Sequence, residues 1–324
     1  MLDFDQSSGQ ATDALPTRPP RSSGRNSPHG AEAFSPPGLS AARAAVRQTR
    51  QRSLYHPHMT PPDQSDIDAR IQTYYGVTFD ESARLTTRSA QGPLEFQRTQ
   101  ELIREHAPLG RVIDIGGGSG VHAKALQDGG YDIELIEPVR RHVDAARAAG
   151  LEAHLGDARD LPFDNETFDV ALLLGPLYHL SSATDRRLAL TEAARVIKPG
   201  GVLLAAALSR YVAFGSVSLT QPTPERMPAD WAALVVEGAP SPSLRFPAGH
   251  FHTAEELHDE IEAVGFEVRE VVGIEGPAGL FLEEVKEADD ELRDAALVIA
   301  RAASAIPGIR DQSAHLIAIA HRPA

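Results

Sequence analysis

An apolar run, Val112-Ile113-Asp114-Ile115, breaks directly into Gly116-Gly117-Gly118-Ser119-Gly120, and no other stretch of the chain constrains its fold so tightly. The run reads as a buried strand and the glycines as the turn leaving it, because residues without a side chain let the backbone take left-handed dihedrals and pass close beneath a ligand. A helix opening near Ser119 aims its free N–H groups at whatever sits above that turn. The spacing from Asp114 to Gly120 is D-x-G-x-G-x-G. It is not the dinucleotide pattern G-x-G-x-x-G/A, because Val121 stands at the third position.

Further motifs follow at suitable gaps. Tyr131-Asp132-Ile133-Glu134-Leu135-Ile136-Glu137-Pro138 reads as a second strand ending in a carboxylate, 19 positions past Gly118. That offset is close to the roughly 20 residues expected of a ribose-binding acid in a βαβ unit. Gly156-Asp157-Ala158-Arg159-Asp160 forms a third turn, Phe168-Asp169-Val170-Ala171-Leu172-Leu173-Leu174 a further strand, and Val196-Ile197-Lys198-Pro199-Gly200-Gly201 a helix-to-strand turn. Taken in this order over about residues 93–209, the chain resembles the class I S-adenosylmethionine-dependent methyltransferases, and within them the small-molecule branch.

The resemblance implies an α/β Rossmann-like fold: a seven-stranded sheet of order 3-2-1-4-5-7-6, its last strand antiparallel, with helices on both faces. It implies S-adenosylmethionine as cofactor. Gly116 and Gly118 then pack against the methionine part, Glu137 takes the ribose hydroxyls, and Asp157 and Ala158 take the adenine. Tyr75 and Leu174 complete the set with Asp114, which chiefly orders the glycine turn. One of Arg84, Arg88 and Arg98 is expected to meet the cofactor carboxylate.

Methyl transfer from a sulfonium requires that a nucleophile be aligned, that water be excluded, and that a proton be removed where the nucleophile carries one. The candidate base is His179, in Gly175-Pro176-Leu177-Tyr178-His179-Leu180 just past the fourth strand, because imidazole titrates in the useful range. A histidine that only shapes the pocket is the alternative. Tyr74, Tyr178, His250 and His252 are the candidate acceptor-binding residues. The last two form a pair around Phe251 without further ligands nearby in sequence, so no metal is expected.

Composition narrows the partners. The chain has no cysteine, which excludes disulfides, thiol nucleophiles and thiolate-bound zinc. Residues 1–62 carry seven arginines against four acids, so the remainder holds a net charge of −17 out of −14 overall. Such an acidic body is a poor nucleic-acid surface. No apolar run is long enough to span a bilayer. A small-molecule acceptor, no nucleic acid, no membrane, a cytoplasmic location and a monomer or homodimer are therefore expected. Two rival readings stand. One is an RNA or protein methyltransferase, although Gly175-Pro176-Leu177-Tyr178 lacks the asparagine of the Asn-Pro-Pro-Tyr motif. The other is a catalytically silent cofactor-binding regulatory subunit.

Residues 1–62, rich in Pro, Ser, Arg, Gln and Gly, are expected to be a disordered tail, with an organellar leader as the alternative. Met59 is an alternative start that leaves 266 residues, and 1–58 are expected to be dispensable. The methyltransferase domain is expected over 63–324. Short helices near 66–75 and 81–85 precede a helix from Pro93 to His106. Strands follow at 111–115, 132–136, 152–155, 168–174, 202–208, 266–273 and 314–321, with helices at 119–129, 138–149, 184–197 and 253–264. Two additions exceed this pattern: a proline-rich lid over 210–252 around Trp231, and a C-terminal segment over 275–307.

Overall fold

A computed structural model describes residues 63–213, 233–240 and 246–324. The expected tail over 1–62, Trp231 and most of the expected lid lie outside the described residues. Helix α1 (Gln64–Thr73) starts at Asp63, whose carboxylate accepts the Ser65 N–H at 2.9 Å, and passes into a π-helical turn, Tyr74–Thr78. Helices α2 (Glu81–Thr86) and α3 (Gln91–His106) lead to β1 (Arg111–Ile115).

The units then alternate: α4 (Val121–Asp128), β2 (Asp132–Glu137), α5 (Arg140–Ala148), β3 (Glu152–Leu155), β4 (Phe168–Leu173), α6 (Ala183–Val196) and β5 (Ile197–Leu208). From residue 254 onward come α7 (Ala254–Glu262), β6 (Glu267–Gly273), α8 (Gly279–Glu284), α9 (Asp290–Ala303) and β7 (His315–His321). The sheet order is β3-β2-β1-β4-β5-β7-β6. Strands β1 to β5 pair in parallel, and β7 runs antiparallel between β5 and β6. The order and the reversed last strand agree with the expectation from sequence.

Alternation along the central strands builds two apolar layers. Ile113, Ile115, Ala171 and Leu173 face one layer, with Leu190 of α6 and Leu257 and Ile261 of α7. Val112, Val170 and Leu172 face the other, with Ile103 of α3, Leu126 of α4 and Val143 of α5. Helices cover both faces, so these strands read as nearly continuous apolar runs. Among the described residues no helix is long and apolar enough to cross a membrane.

Candidate active site

Ligands in such sheets sit outside the carboxyl ends of the strands, and a cavity of about 400 Å³ opens there. Its lining includes Asp114 and Gly116–Ser119 after β1, Glu137 at the end of β2, Asp157–Arg159 after β3, and Leu174–Pro176 with Tyr178 and His179 after β4. Helix α1 contributes Asp68, Ala69, Ile71 and Gln72. The α1 helix is fixed there by hydrogen bonds from Gln64 to the His179 carbonyl (3.1 Å) and from Gln72 to the Pro138 carbonyl (2.9 Å).

The glycine turn holds the geometry that its residues allow. Gly116 and Gly118 have φ of 73° and 57°, in the left-handed region, and a Cβ on Gly116 would lie 2.7 Å from Pro176 Cγ. Glu137 is buried, with Oε2 accepting the Gly118 N–H at 3.1 Å and Oε1 the Val139 N–H at 3.0 Å. His142 Nδ1 lies 3.4 Å from Oε1. Asp114 is 1% exposed and its Oδ1 has no hydrogen-bond partner among the described residues. Burial, reinforced by the nearby Glu137 carboxylate, pushes the Asp114 carboxyl up to about 7.

At the other end, Asp157 is engaged by its own turn. Its Oδ1 accepts from Arg159 N and Nε at 2.8 Å each, and its Oδ2 from the guanidinium at 2.6 Å. Burial works to raise this carboxyl, but the hydrogen bonds from Arg159 outweigh it and hold it below the usual range. The same guanidinium donates to Asp68 of α1 at 2.9 Å, so Arg159 joins α1 to the turn after β3.

His179 lies in the short 3₁₀ turn Pro176–His179, packed by the rings of Tyr178, Tyr75 and Phe246 at centroid distances of 4.7, 5.6 and 5.2 Å. Its Nδ1 is 2.8 Å from the Pro247 carbonyl and its Nε2 is 3.2 Å from the Tyr75 hydroxyl. A carbonyl can only accept, so Nδ1 carries the hydrogen and Nε2 the lone pair. Burial pulls the imidazole down to about 4, against the opposing effect of the Pro247 carbonyl.

A polar wall closes the cavity on the α2 and α3 side. Arg84, Glu95, Thr99, His122 and His315 all line it. Arg84 pairs with Glu95 at 2.5 Å, and His315 Nδ1 with the fully buried Glu275 at 2.5 Å. Burial tends to raise Glu95, yet Arg84 and His315 overcome it and bring the carboxyl down to about 2. For His315 burial is likewise outweighed, by Glu95 and Glu275, which hold the imidazole above its ordinary value. His122 is driven down to about 4, mainly by burial. Of this wall, sequence reasoning offers only Arg84 as a ligand candidate. Glu95 had a local signal, a charge on the same helical face as Leu94, Leu102 and Ile103, all buried. Glu275 and His315 had none, because their pairing spans 40 residues.

Apart from the three candidate arginines, ten of the thirteen residues singled out from sequence border one cavity: Tyr75, Asp114, Gly116, Gly118, Glu137, Asp157, Ala158, Leu174, Tyr178 and His179. Tyr74, His250 and His252 are not in its lining. Tyr74 turns into an aromatic cluster, stacked on Phe79 at 4.8 Å and edge-on to Phe246 at 6.0 Å. His250 and His252 point at α7, with Nε2 atoms 3.0 Å from Glu256 and 3.3 Å from Glu260. Arg210 and Arg186 bind the same two glutamates, so both imidazoles pack into a polar seam against α7. Of the expected carboxylate partners, Arg98 pairs with Glu101, Arg88 lies over the Phe79 ring, and Arg84 reaches the cavity.

Part of the chain is similar to known methyltransferases. Residues 113–205 match the family described as a methyltransferase domain. A probable tRNA methyltransferase 9B from Homo sapiens is 34% identical over 110 residues, covering 34% of this chain and 24% of that protein. The match therefore spans about a quarter of that relative's length. A ubiquinone biosynthesis O-methyltransferase from Azorhizobium caulinodans is 28% identical over 228 residues, covering 65% of this chain and 84% of the relative. Among solved structures, a SAM-dependent methyltransferase described as a possible histamine N-methyltransferase, from Thermotoga maritima, superposes with a TM-score of 0.51. It is 21% identical and covers 78% of this chain and 99% of that one, which is a likeness of fold.

Proposed function

We propose that this chain, whose residues 113–205 are a class I methyltransferase domain, transfers the methyl group of S-adenosylmethionine to a small, partly apolar acceptor. The observation that carries the reading is the Glu137 carboxylate, held by the Gly118 and Val139 N–H groups at the rim of a glycine turn and facing a cavity of suitable size. The residues fit that cofactor. Each Glu137 oxygen keeps a lone pair for a ribose hydroxyl, and the unpartnered Asp114 oxygen favours a cationic ligand beside it.

When bound, S-adenosylmethionine supplies a sulfonium-activated methyl group. Glu137 holds the ribose hydroxyls, Asp157 and Ala158 border the adenine, and Gly116 and Gly118 let the chain approach the methionine part. Arg84 meets its carboxylate. His179, neutral and half-buried, is the base that ends up holding the acceptor's proton, and α1 with its π-helical turn excludes water. A small acceptor is supported by the α1 cover and by the net charge of −14. A second reading, methylation of RNA, draws on the similarity to tRNA methyltransferase 9B, confined to 110 residues. The acidic charge argues against it.

Mass spectrometry of small molecules that copurify with the chain tests the proposal. S-adenosylmethionine or S-adenosylhomocysteine together with a small acceptor or its methylated form supports it. Copurifying RNA that the chain methylates in vitro supports the second reading, and a bound nicotinamide dinucleotide refutes both.

A further inference from the structure

Tyr75 enters the cavity from the π-helical turn and His179 from the turn after β4, two elements separated by 104 positions in sequence. Their rings stand at 89°, and the Tyr75 hydroxyl lies 3.2 Å from His179 Nε2. Because the Pro247 carbonyl takes the Nδ1 hydrogen, the Tyr75 hydroxyl is the donor and Nε2 the acceptor. An imidazole whose lone pair already holds a phenol hydrogen does not take a proton from the acceptor directly. The group it presents to the reacting atoms is the phenolic oxygen.

Resting on the methyl-transfer reading above, we infer that Tyr75 and His179 form a two-member proton relay, and that the acceptor is a hydroxyl, phenol or amine compound whose attacking atom sheds a proton. As the acceptor lone pair bonds to the methyl carbon, the carbon–sulfur bond breaks and its electron pair goes to sulfur. The acceptor hydrogen passes to the Tyr75 oxygen, and the Tyr75 hydrogen passes to His179 Nε2. The imidazolium keeps its Nδ1 hydrogen on Pro247 and afterwards releases the Nε2 proton to solvent. A carboxylate acceptor, already ionised, has no use for such a pair.

The phenol hydroxyl is separable from the ring. Tyr75 also packs edge-on to His142 and Phe79 at 5.7 and 5.8 Å, contacts that phenylalanine keeps. The test uses the full chain labelled with ¹⁵N-histidine, with and without S-adenosylhomocysteine, and His179→Gln to assign the resonance. The expected spectrum has Nδ1 protonated and Nε2 unprotonated at neutral pH, with the Nε2 signal displaced in Tyr75→Phe. Protonated Nε2 in the wild type, or a Nε2 signal unmoved by Tyr75→Phe, overturns the relay. Should Tyr75→Phe lose its cooperative melt, 3-fluorotyrosine at position 75 provides a stronger donor of nearly the same shape and should displace the same signal. An unmoved signal there also overturns it. Failure of S-adenosylhomocysteine to bind strikes the methyltransferase reading instead, because the spectrum of the free chain still reports the contact. With catechol, benzylamine and benzoate as probes, methylation of catechol or benzylamine is expected, with kcat at least tenfold lower in Tyr75→Phe and KM within threefold. Methylation of benzoate in preference to both, or kcat within threefold of wild type, contradicts the relay.

Discussion

Glu137 Oε2 accepts the Gly118 N–H at 3.1 Å, so the end of β2 and the glycine turn after β1 act as one rigid unit. Asp114 is buried beneath that unit with one oxygen unpaired, and its raised pKa makes the cavity sensitive to pH. A folded-state value of about 7, above the usual carboxylate value, means that the unliganded fold loses stability as pH rises from about 4 through 7. Asp114→Asn should therefore raise the melting temperature of the unliganded chain at pH 8, by about 2–4 °C per kcal/mol recovered, and leave it nearly unchanged at pH 4. Cofactor affinity should move the other way, because the ionised carboxylate favours a cationic ligand. Calorimetry between pH 6 and 8 should show wild-type affinity for S-adenosylmethionine rising with pH, and Asp114→Asn should flatten that slope.

The imidazole of His179, pulled down to about 4 by burial, is already neutral throughout the physiological range. The ordinary histidine value of about 6.5 predicts an acid limb near neutrality. With the buried value, kcat should be flat through pH 6–8 as far as His179 is concerned and should fall only toward pH 4. Replacing it with glutamine should lower kcat about 10²–10⁴-fold while S-adenosylmethionine affinity stays within a few-fold. A pH–rate profile measured on any methylated acceptor checks both points.

Arg84 and Glu95 are both largely buried, and removing one partner strands the other. Glu95→Ala should cost roughly 3–5 kcal/mol of stability, read from urea unfolding, whereas Arg84→Met with Glu95→Leu should recover most of it. The double variant should still bind S-adenosylmethionine weakly, because the proposed carboxylate partner is gone. Recovery of full affinity would remove Arg84 from the cofactor site.

Arg159 links the turn after β3 to α1 through Asp157 and Asp68. Both carboxylates are partly exposed, so the effect on stability should be small. The kinetic effect should be larger: Arg159→Met removes the tie at the middle of α1, and stopped-flow displacement should show S-adenosylhomocysteine leaving roughly three- to tenfold faster. An unchanged off-rate would mean that the remaining contacts of α1, those of Gln64, Arg70 and Gln72 among them, hold it without Arg159.

The strands were legible because burial on both faces writes itself as runs such as Val170-Ala171-Leu172-Leu173, and most predicted boundaries agree within one or two residues. Strand β5 is the exception. It begins at Ile197, not at 202, because Phe168 pairs with Ile197 before an irregularity brings Val170 opposite Val202, whereas Pro199-Gly200-Gly201 reads in sequence as a helix-to-strand turn. The cofactor side of the cavity was legible because its residues follow strand ends in order. The polar wall was not, since Glu275 and His315 meet only through the pairing of β7 with its neighbours. Sequence reasoning puts both tyrosines at the site, Tyr75 on the cofactor and Tyr74 on the acceptor, but the π-helical turn brings only the Tyr75 ring into the cavity lining.

Isothermal titration of S-adenosylmethionine into the full chain and into Glu137→Ala at pH 7.5 tests the central claim most directly. The wild type should bind saturably, and the variant should still melt cooperatively but lose roughly tenfold to more than a hundredfold in affinity, the equivalent of about 1.5–3 kcal/mol from lost charge-assisted hydrogen bonds. No binding by the wild type, or the same affinity in Glu137→Ala, would contradict it.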